Sequence, residues 1–513
     1  MEDGALIMNY TGHGAAYSLS HEKTILRADF ERWSSPRLPL WITAACDISP
    51  FDMSEENIGE TALLNPKGAA MGMITTSRTV YSSQNRKINK NFMKHVLGRK
   101  SNGKRVTIGE ALHLAKNDIV VAGTISSRDS INKCHFVLLG APAITLAPPT
   151  YPAQVDEFNG KSAGSDVSIS AGNVVKVKGH IVDEGGNVAT DFNGIVSPTV
   201  FDNIEKVVCK NGAGQDIEEP MSYYERLKTI YAGSDSVRNG YFEFSFPVPL
   251  DINYSDESGL LKLYAVNSSR TVEANGDYSD FLVGGTSSSL NTDSLGPEIS
   301  LYLNYDSFEN GSRINDTPVL VAEIFDADGI NTTGSGVGHD IMAIIDNDES
   351  MSYSLNSYFV QQSGDYTRGT VVFRIPSLPE GRHTLLLRAW DVMNNPSTRT
   401  IEFEVVKGLA PSMFELTCQG PVRSSATFTV VTDRPHSQMD LRLTVYDMAG
   451  REVAHLDSQS GDSKTNFYTF TWDLSSGGKR ILPGVYICRA ILTDDSGASS
   501  SKALKFIVLG MGK

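Results

Sequence analysis

The feature that most constrains the fold is a change of pattern at a proline-rich segment, residues 148–152. Before this segment, apolar runs alternate with stretches of helical periodicity, which is typical of βα units around a parallel sheet. After it, helical periodicity disappears, and short alternating strands are separated by Gly, Asn and Asp, which is typical of β-sandwiches. The sequence therefore predicts an α/β domain followed by an all-β region.

The chain has 513 residues, which is too long for a single hydrophobic core. We expect four domains: residues 1–149 form the α/β domain, and residues 150–290, 291–408 and 409–513 form three Ig-like β-sandwiches. A stretch rich in Gly, Ser and Thr at 284–296 separates the first two sandwiches. The sandwiches differ in sequence, so they are a string of similar modules.

The composition excludes several classes of protein. The formal net charge of −15 argues against nucleic acid or an anionic membrane as the main partner. No apolar run is long enough to span a bilayer, and the first residues do not resemble a secretory signal. The cysteines are sparse and lack CxxC spacing, so neither a zinc site nor a disulfide scaffold is indicated. Cys418 and Cys488 could pair, or could be two separate buried thiols.

The α/β domain contains several predicted elements. The apolar runs predict strands at residues 5–10, 38–45 and 69–75, and a return to the sheet at 136–146 that is broken at 140–142. The helical patterns predict a helix that opens at 54–56 and stops at Asn65, a helix at 84–97, and a helix opened by a capping box at 107–110.

Two of these strands end abruptly in a reactive side chain. The first runs into Gly12-His13-Gly14 and the second into Ala45-Cys46. Parallel strands deliver both ends to the same sheet edge, as a cysteine nucleophile with a histidine partner requires. The backbone N–H groups of Gly14 and Cys46 could bind the oxyanion. However, a cysteine after an apolar run is usually core, and a histidine in a glycine turn is usually solvated, so spacing alone leaves both interpretations open.

Residues 5 to about 147 resemble the gingipain-type cysteine peptidases, a caspase-like family. The matching stretches are residues 9–14, the strand into Cys46, 59–63, 69–74 and 140–142. The resemblance implies that the domain at 1–149 is the C-terminal part of a caspase-like parallel-sheet domain. It also implies that His13 and Cys46 are the catalytic pair.

The chain departs from the family pattern at two places. Ala141 stands where the family has an acid, which we expect to be a structural change only. Asp47 follows the cysteine where the family usually has valine, so the pocket wall differs and a preference for basic residues should not be assumed. We assign Asp47 and Arg78 to the substrate pocket, although a solvated loop cation is equally compatible with Arg78.

The whole chain resembles the sortase component of the type IX secretion system. Glycine-rich stretches at 328–334 and 338–340 stand where that family has a similar stretch. Residues 445–451, 472–474 and 483–486 resemble the sorting-domain sandwiches of type IX cargo. The resemblance implies a cell-surface, outer-membrane enzyme. It would cleave the C-terminal sorting domain from secreted cargo and transfer the acyl group to a lipopolysaccharide amine. Its partners would be cargo proteins, lipopolysaccharide and other type IX outer-membrane components, and not nucleic acid.

Two other functions fit the same sequence. One is a secreted gingipain-like hydrolytic endopeptidase whose last domain is a removable export signal. The other is a surface adhesin with an inactive caspase-like remnant. We also expect the chain to be the C-terminal part of a longer polypeptide, with the third catalytic acid upstream. These residues alone would then fold poorly and lack peptidase activity.

We expect no cofactor, with structural calcium as an alternative. Asp326 and Asp328 stand at alternate positions that can ligate calcium, and residues 346–349 are similar. The distal glutamate of an EF-hand is missing, so turns between strands are the simpler interpretation. We read His339 as structural and the Cys134–His135 pair as part of the core.

Overall fold

The structure is a computed structural model, and the chain divides into two compact units, Met1–Pro148 and Pro149–Lys513. None of the helices in the described part of the chain is long and apolar enough to cross a bilayer. The structure describes residues 5–35, 37–54, 56–121, 125–209, 220–288, 293–333, 338–434, 438–457, 461–462, 467–494 and 496–510.

The first unit combines strands and helices. Its strands are β1 (Ile7–Thr11), β2 (Gly14–Ala15), β3 (Ser18–Leu19), β4 (Ile25–Leu26), β5 (Leu40–Ala44), β6 (Gly72–Thr76) and β7 (Phe136–Gly140). Its helices are α1 (Arg27–Arg32), α2 (Ile58–Leu64), α3 (Ser82–Val96), α4 (Ile108–Val121) and α5 (Ser127–His135).

The main sheet of the first unit has the strand order β1-β5-β6-β7. Strands β1, β5 and β6 are parallel, and β7 is antiparallel to β6. Every residue of β5 and β6 is buried, because helices cover both faces of the sheet. Alternate residues of β5 serve two cores: Leu40 and Ile42 pack in the cluster with α3 and α4, whereas Trp41 packs in the cluster with α1 and α2.

Some of the predicted elements of this unit need correction. The capping box of α4 is confirmed, because the N–H of Glu110 donates to Thr107 Oγ1 (3.2 Å) and the N–H of Thr107 donates to Glu110 Oε2 (3.1 Å). The predicted cap at residues 54–56 is wrong, because Asn57 accepts the Glu60 N–H at the start of α2. The last strand ends at Gly140, where the break was predicted, and the chain does not return to the sheet between residues 143 and 146. The segment between the first two predicted strands contains β2, β3, β4 and α1, and α5 was not predicted.

The regular secondary structure of the second unit consists almost entirely of strands. They are β8 (Tyr151–Phe158), β9 (Lys161–Ser162), β10 (Ser168–Ala171), β11 (Val174–Ile181), β12 (Gly194–Phe201), β13 (Glu205–Val208), β14 (Ser222–Glu225), β15 (Thr229–Ala232), β16 (Asp235–Arg238), β17 (Tyr241–Pro247), β18 (Glu257–Ser258), β19 (Leu260–Asn267), β20 (Glu273–Tyr278), β21 (Leu282–Thr286), β22 (Glu298–Leu303), β23 (Arg313–Ile314), β24 (Val319–Phe325), β25 (Met342–Ile345), β26 (Ser352–Ser354), β27 (Phe359–Gln362), β28 (Asp365–Arg374), β29 (Gly381–Trp390), β30 (Pro396–Val405), β31 (Met413–Cys418), β32 (Ala426–Thr432), β33 (Gln438–Asp447), β34 (Glu452–Asp457), β35 (Gly461–Asp462), β36 (Phe467–Trp472), β37 (Ser475–Ser476), β38 (Lys479–Arg480), β39 (Gly484–Asp494) and β40 (Ser499–Val508). Short 3₁₀ turns lie at Glu349–Met351 and Asn356–Tyr358.

These strands build three successive pairs of sheets, each around its own hydrophobic core. Strands β8–β21 form a nine-stranded and a three-stranded sheet around one cluster, with β13 and β14 as a separate two-stranded ribbon. Strands β22–β30 form a four-stranded and a five-stranded sheet around the second cluster. Strands β31–β40 form a three-stranded and a five-stranded sheet around the third, with β37 and β38 as a small extra ribbon. Along strands such as β29, buried side chains alternate with more exposed ones, so one face of the sheet packs in the core.

Candidate active site

The histidine and the cysteine lie at the same end of two neighbouring parallel strands. Thr11 of β1 pairs with Ala44 of β5, and His13 and Cys46 each stand two residues beyond this pair. The Gly12 N–H continues the pairing by donating to the Ala44 carbonyl (3.5 Å). The carboxyl ends of parallel strands form the usual ligand crevice of such a sheet. The backbone therefore brings both predicted residues to one edge.

Gly14 sets how closely the two strand ends approach. A Cβ placed on Gly14 would lie 2.2 Å from Ile48 Cδ1 and 3.0 Å from Ala45 Cβ. The chain just after His13 is thus in contact with residues on both sides of Cys46. This approach requires a residue without a side chain.

The backbone of His13 is held from two directions, while its side chain is exposed. The Tyr10 hydroxyl donates to the His13 carbonyl (2.6 Å), and the Ser20 N–H donates to the same carbonyl (2.9 Å). The turn that contains Ser20 also contains Glu22. Hydrogen bonds from the backbone of Glu22 and from the Ser20 side chain lower the pKa of the Glu22 carboxyl, and the charges of His21 and His13 add to this effect. Glu22 is thus an acid within electrostatic range of the imidazole, which the sequence reasoning missed.

Cys46 is half-buried and packs against the core cluster that contains α3 and α4. The Val80 N–H donates to Cys46 Sγ (3.5 Å), and the thiol donates to the Val80 carbonyl (3.3 Å). Among the described residues, these contacts with Val80 are the hydrogen bonds of the thiol, and the imidazole of His13 makes none to it. The chain that follows β6 therefore forms one wall of the site, close to the sulfur.

The residue after the cysteine has a strained backbone. Asp47 has φ of 51°, in the left-handed region that residues with a side chain rarely adopt. Its N–H donates to the Arg78 carbonyl (3.5 Å), and its carboxylate accepts the Thr79 hydroxyl (2.9 Å). Strain of this kind persists where the surrounding structure holds it, and it is frequent at functional sites. Asp47 therefore lies beside Cys46 with its carboxylate bonded to the wall formed by the chain after β6. Its role in a substrate pocket stays a prediction.

Arg78 is not a free loop cation. Its guanidinium forms an ion pair with Asp52, and a second nitrogen donates to the Ser77 carbonyl (2.6 Å). The hydrogen bond from Arg78 holds the pKa of the Asp52 carboxyl below its usual range, and Asp52 raises the pKa of Arg78. Both side chains are largely exposed, so the pair contributes little to stability. It ties the loop after Cys46 to the segment that contains Val80.

The sequence-based predictions at Asp326, Asp328 and His339 lie in the second unit. Asp326 Oδ1 accepts the N–H groups of Asp328 (2.8 Å) and Gly329 (3.3 Å), which is the geometry of an Asx turn. His339 Nδ1 bonds to Asp251 (2.7 Å), which fits a structural role. Across the described ranges, no group of three His, Cys, Asp or Glu side chains is arranged to hold a metal ion. Structural calcium stays a prediction.

The cysteines other than Cys46 are free thiols in the structure. Cys134 is exposed, so the prediction that it belongs to the core is wrong. It lies in the last turn of α5, next to His135, whose Nδ1 bonds to the Thr79 carbonyl (2.9 Å). Cys418 and Cys488 do not form a disulfide, and burial raises the pKa of Cys488 to about 12.

Comparison with known proteins gives a family match for the first unit. Residues 1–147 match peptidase family C25. We call the N-terminal unit, Met1–Pro148, the C25 unit after this match. The C25 unit contains His13 and Cys46 and the whole four-stranded sheet that positions them.

The chain is also similar to solved structures. Dimeric latent PorU from Porphyromonas gingivalis is 33% identical over 87% of this chain and 41% of its own, with a TM-score of 0.37. The Arg-specific cysteine proteinase gingipain R is 18% identical over 55% of this chain and 54% of its own, with a TM-score of 0.26. The chain thus spans less than half the length of PorU. No curated protein matches it in sequence.

Replacing Gly14 by alanine is expected to destabilise the C25 unit by about 1–3 kcal/mol, the usual cost of an overpacked contact. The new Cβ would overlap Ile48 Cδ1 and touch Ala45. The double variant Gly14→Ala/Ile48→Val lacks the overlapping methyl and should recover part of this loss. Thermal unfolding of the single and double variants measures both effects. A Gly14→Ala variant as stable as the parent would show that the strand ends do not meet as described.

Proposed function

We propose that this protein is a cysteine peptidase that acts as a sortase in type IX secretion, with Cys46 as nucleophile and His13 as acid and base. The observation that carries the proposal is the register of β1 and β5 within the C25 unit, which puts the two residues at equivalent strand ends. His13 is exposed and Cys46 is only half-buried, which is compatible with access of a peptide to the pair.

The reaction would proceed in two half-reactions. The Cys46 thiolate attacks the carbonyl carbon at the cargo junction, and the oxyanion accepts hydrogen bonds from the N–H groups of Gly14 and Cys46. The C–N bond then breaks, and His13 protonates the departing amine, which leaves a thioester on Cys46. An incoming amine attacks the thioester while His13 takes its proton, and the thiolate is released.

The acceptor decides between two outcomes of the same chemistry. With an amine of lipopolysaccharide, the product is cargo attached to the cell surface; with water, it is hydrolysed cargo. The sortase resemblance of the whole chain favours the amine. It also favours a location on the outer face of the outer membrane, with type IX components as partners and the all-β modules as Ig-like sandwiches.

The neighbourhood of Asp47, Arg78 and Asp52 would form the substrate pocket. Both acids there already have partners, which argues against selection of a basic residue.

The test is active-site labelling of the full-length protein with a peptidyl acyloxymethyl ketone. Labelling of Cys46, located by mass spectrometry, is expected in the parent and not in Cys46→Ala. Cys134→Ala removes an exposed thiol outside the site and should leave the labelling unchanged. A probe that labels parent and Cys46→Ala alike would refute the proposal and favour the adhesin alternative.

A further inference from the structure

Two buried asparagines link the strand that precedes Cys46 to the wall that contacts its sulfur. Asn132, on α5, is fully buried, and Asn85, on α3, is nearly so. Neither lies next to Cys46 or His13 in sequence, and neither has a part in the proposed reaction steps. Buried amides require hydrogen-bond partners, and the partners of these two side chains indicate what they hold together.

Asn132 binds one backbone residue through both ends of its amide. Its Oδ1 accepts the Tyr81 N–H (2.9 Å), and its Nδ2 donates to the Tyr81 carbonyl (3.2 Å). Tyr81 directly follows Val80, whose N–H and carbonyl both contact Cys46 Sγ. Asn132 therefore fixes the chain immediately beside the peptide group that touches the sulfur.

Asn85 extends this contact to the strand that precedes the cysteine. Its Oδ1 accepts a hydrogen bond from Asn132 Nδ2 (2.7 Å), and its own Nδ2 donates to the Ala44 carbonyl (3.2 Å). Ala44 is the last residue of β5, two positions before Cys46. We call the path from Tyr81 through Asn132 and Asn85 to Ala44 the amide relay. It joins the segments on the two sides of the sulfur through hydrogen bonds that lie in the interior.

We propose that the amide relay positions the cysteine nucleophile by holding the Val80 N–H against Cys46 Sγ. This inference rests on the proposed function, because positioning presupposes that Cys46 reacts. When the thiol loses its proton, its bond to the Val80 carbonyl is lost, whereas the N–H remains as a donor to the sulfur anion. The Val80 N–H is thus the contact that can hold the sulfur in place throughout the reaction, and the relay fixes the segment that carries it. Asn85 and Asn132 act through Val80 and touch no reacting atom.

The test measures the rate at which iodoacetamide alkylates Cys46 in the full-length protein, followed on the peptide that contains Cys46. Asn132→Leu and Asn85→Leu each break the relay and are expected to slow alkylation roughly 3- to 10-fold, the effect of losing one hydrogen bond. Because both residues serve one path, the double variant should react no more slowly than the slower single variant. Independent effects would multiply instead.

A matched control separates positioning from lost stability. Asn65 also donates its side-chain amide to two backbone carbonyls, those of Phe30 (2.7 Å) and Trp33 (2.8 Å), away from Cys46. Asn65→Leu should lower the unfolding temperature, as the relay variants do, but leave the alkylation rate of Cys46 unchanged. Relay variants that alkylate at the parental rate, or faster, would overturn the inference.

The alkylation assay is independent of the proposed activity. Iodoacetamide reacts directly with the sulfur, and this reaction requires neither a peptide-binding site nor His13. A full-length protein that the acyloxymethyl ketone does not label, but whose alkylation still depends on the relay, would refute the peptidase and leave the relay standing. If the ketone labels Cys46 normally but the alkylation rate does not depend on Asn85 and Asn132, the peptidase proposal stands and the relay is refuted.

Discussion

Replacing His13 by alanine is expected to slow labelling of Cys46 by an acyloxymethyl ketone about 10²- to 10⁴-fold, the usual contribution of a general acid–base residue. The expectation follows from the register that puts His13 beside the strand end of Cys46, within the C25 unit. Among the described residues, the hydrogen bonds of the sulfur are with a backbone N–H and a carbonyl, neither of which exchanges protons near neutral pH. The imidazole is therefore the group expected to take the thiol proton.

The chain offers a close control for this experiment. His21 is a second exposed histidine on the turn that follows β3, and its charge acts on the same Glu22 carboxyl as that of His13. His21→Ala removes an imidazole from this turn without changing the strand end. It should label at the parental rate, and both variants should unfold at the parental temperature, since both side chains are exposed. Equal labelling of His13→Ala and the parent would remove His13 from the mechanism.

The core of the C25 unit could be predicted because its strands are buried on both faces. A continuous apolar run such as β5 has few alternatives to a central strand, and its abrupt end at Cys46 marks the sheet edge. The glycine after His13 has a physical reason that the structure makes explicit, since any side chain there would meet Ile48. Both the buried strand and the glycine can be recognised from the type of residue at each position, and the sequence gives that information directly.

The parts that were missed depend on contacts between distant segments. The wall of the site uses the backbone of Val80, and a peptide group has no residue-type signal. In the sequence, Asn85 and Asn132 look like ordinary polar positions of a helix. Their role depends on the hydrogen bonds between α3 and α5 and from α3 to β5, which form only in the folded chain. Helix α5 itself lacks a regular apolar face, and its capping box, formed by Ser126 and Asp129, was overlooked. Ser54 is as good a cap by type as Asn57, so only the fold distinguishes them.

Lowering the pH from about 7 to 4 is expected to stabilise the second pair of sheets in the all-β unit, because of Asp326. Burial raises the pKa of this carboxyl to about 6, and the charges of Asp391 and Asp328 add to the effect. The unfolded chain would bind the same proton only near 3.8, the ordinary value. The folded state therefore binds more protons between these values, so stability is lost as the pH rises from about 4 to 6. The loss is about 2–3 kcal/mol if the full difference is expressed.

The sign of this effect distinguishes it from ordinary acid unfolding. Asp129 in the C25 unit behaves oppositely, because hydrogen bonds from Ser126 and Lys87 lower its pKa to about 2. Its contribution is present above the ordinary value and is lost only as the pH falls below about 4. Calorimetric unfolding of the full-length protein at several pH values should show one transition that strengthens between pH 7 and 4. Transitions of the C25 unit should weaken only at lower pH.

Asp326→Asn assigns the effect to one carboxyl. An amide oxygen can still accept the N–H groups of Asp328 and Gly329, but it carries no charge to bury. The variant should be more stable than the parent at pH 7.5 and should have lost most of the slope between pH 6 and 4. Asp365→Asn is the control, since Asp365 also accepts bonds within its own turn, but its side chain is about one-third exposed.

Bound calcium would reverse the expected order of stability of the parent and Asp326→Asn. If Asp326 and its neighbouring carboxylates hold the ion, adding calcium at pH 7.5 should stabilise the parent by mass action, and Asp326→Asn should lose that gain. The variant would then be less stable than the calcium-loaded parent. If burial alone governs Asp326, calcium should have no effect and the variant should be the more stable protein. A less stable variant that shows no response to calcium would contradict both accounts and would mean that the ionised carboxylate is stabilised by its own turn.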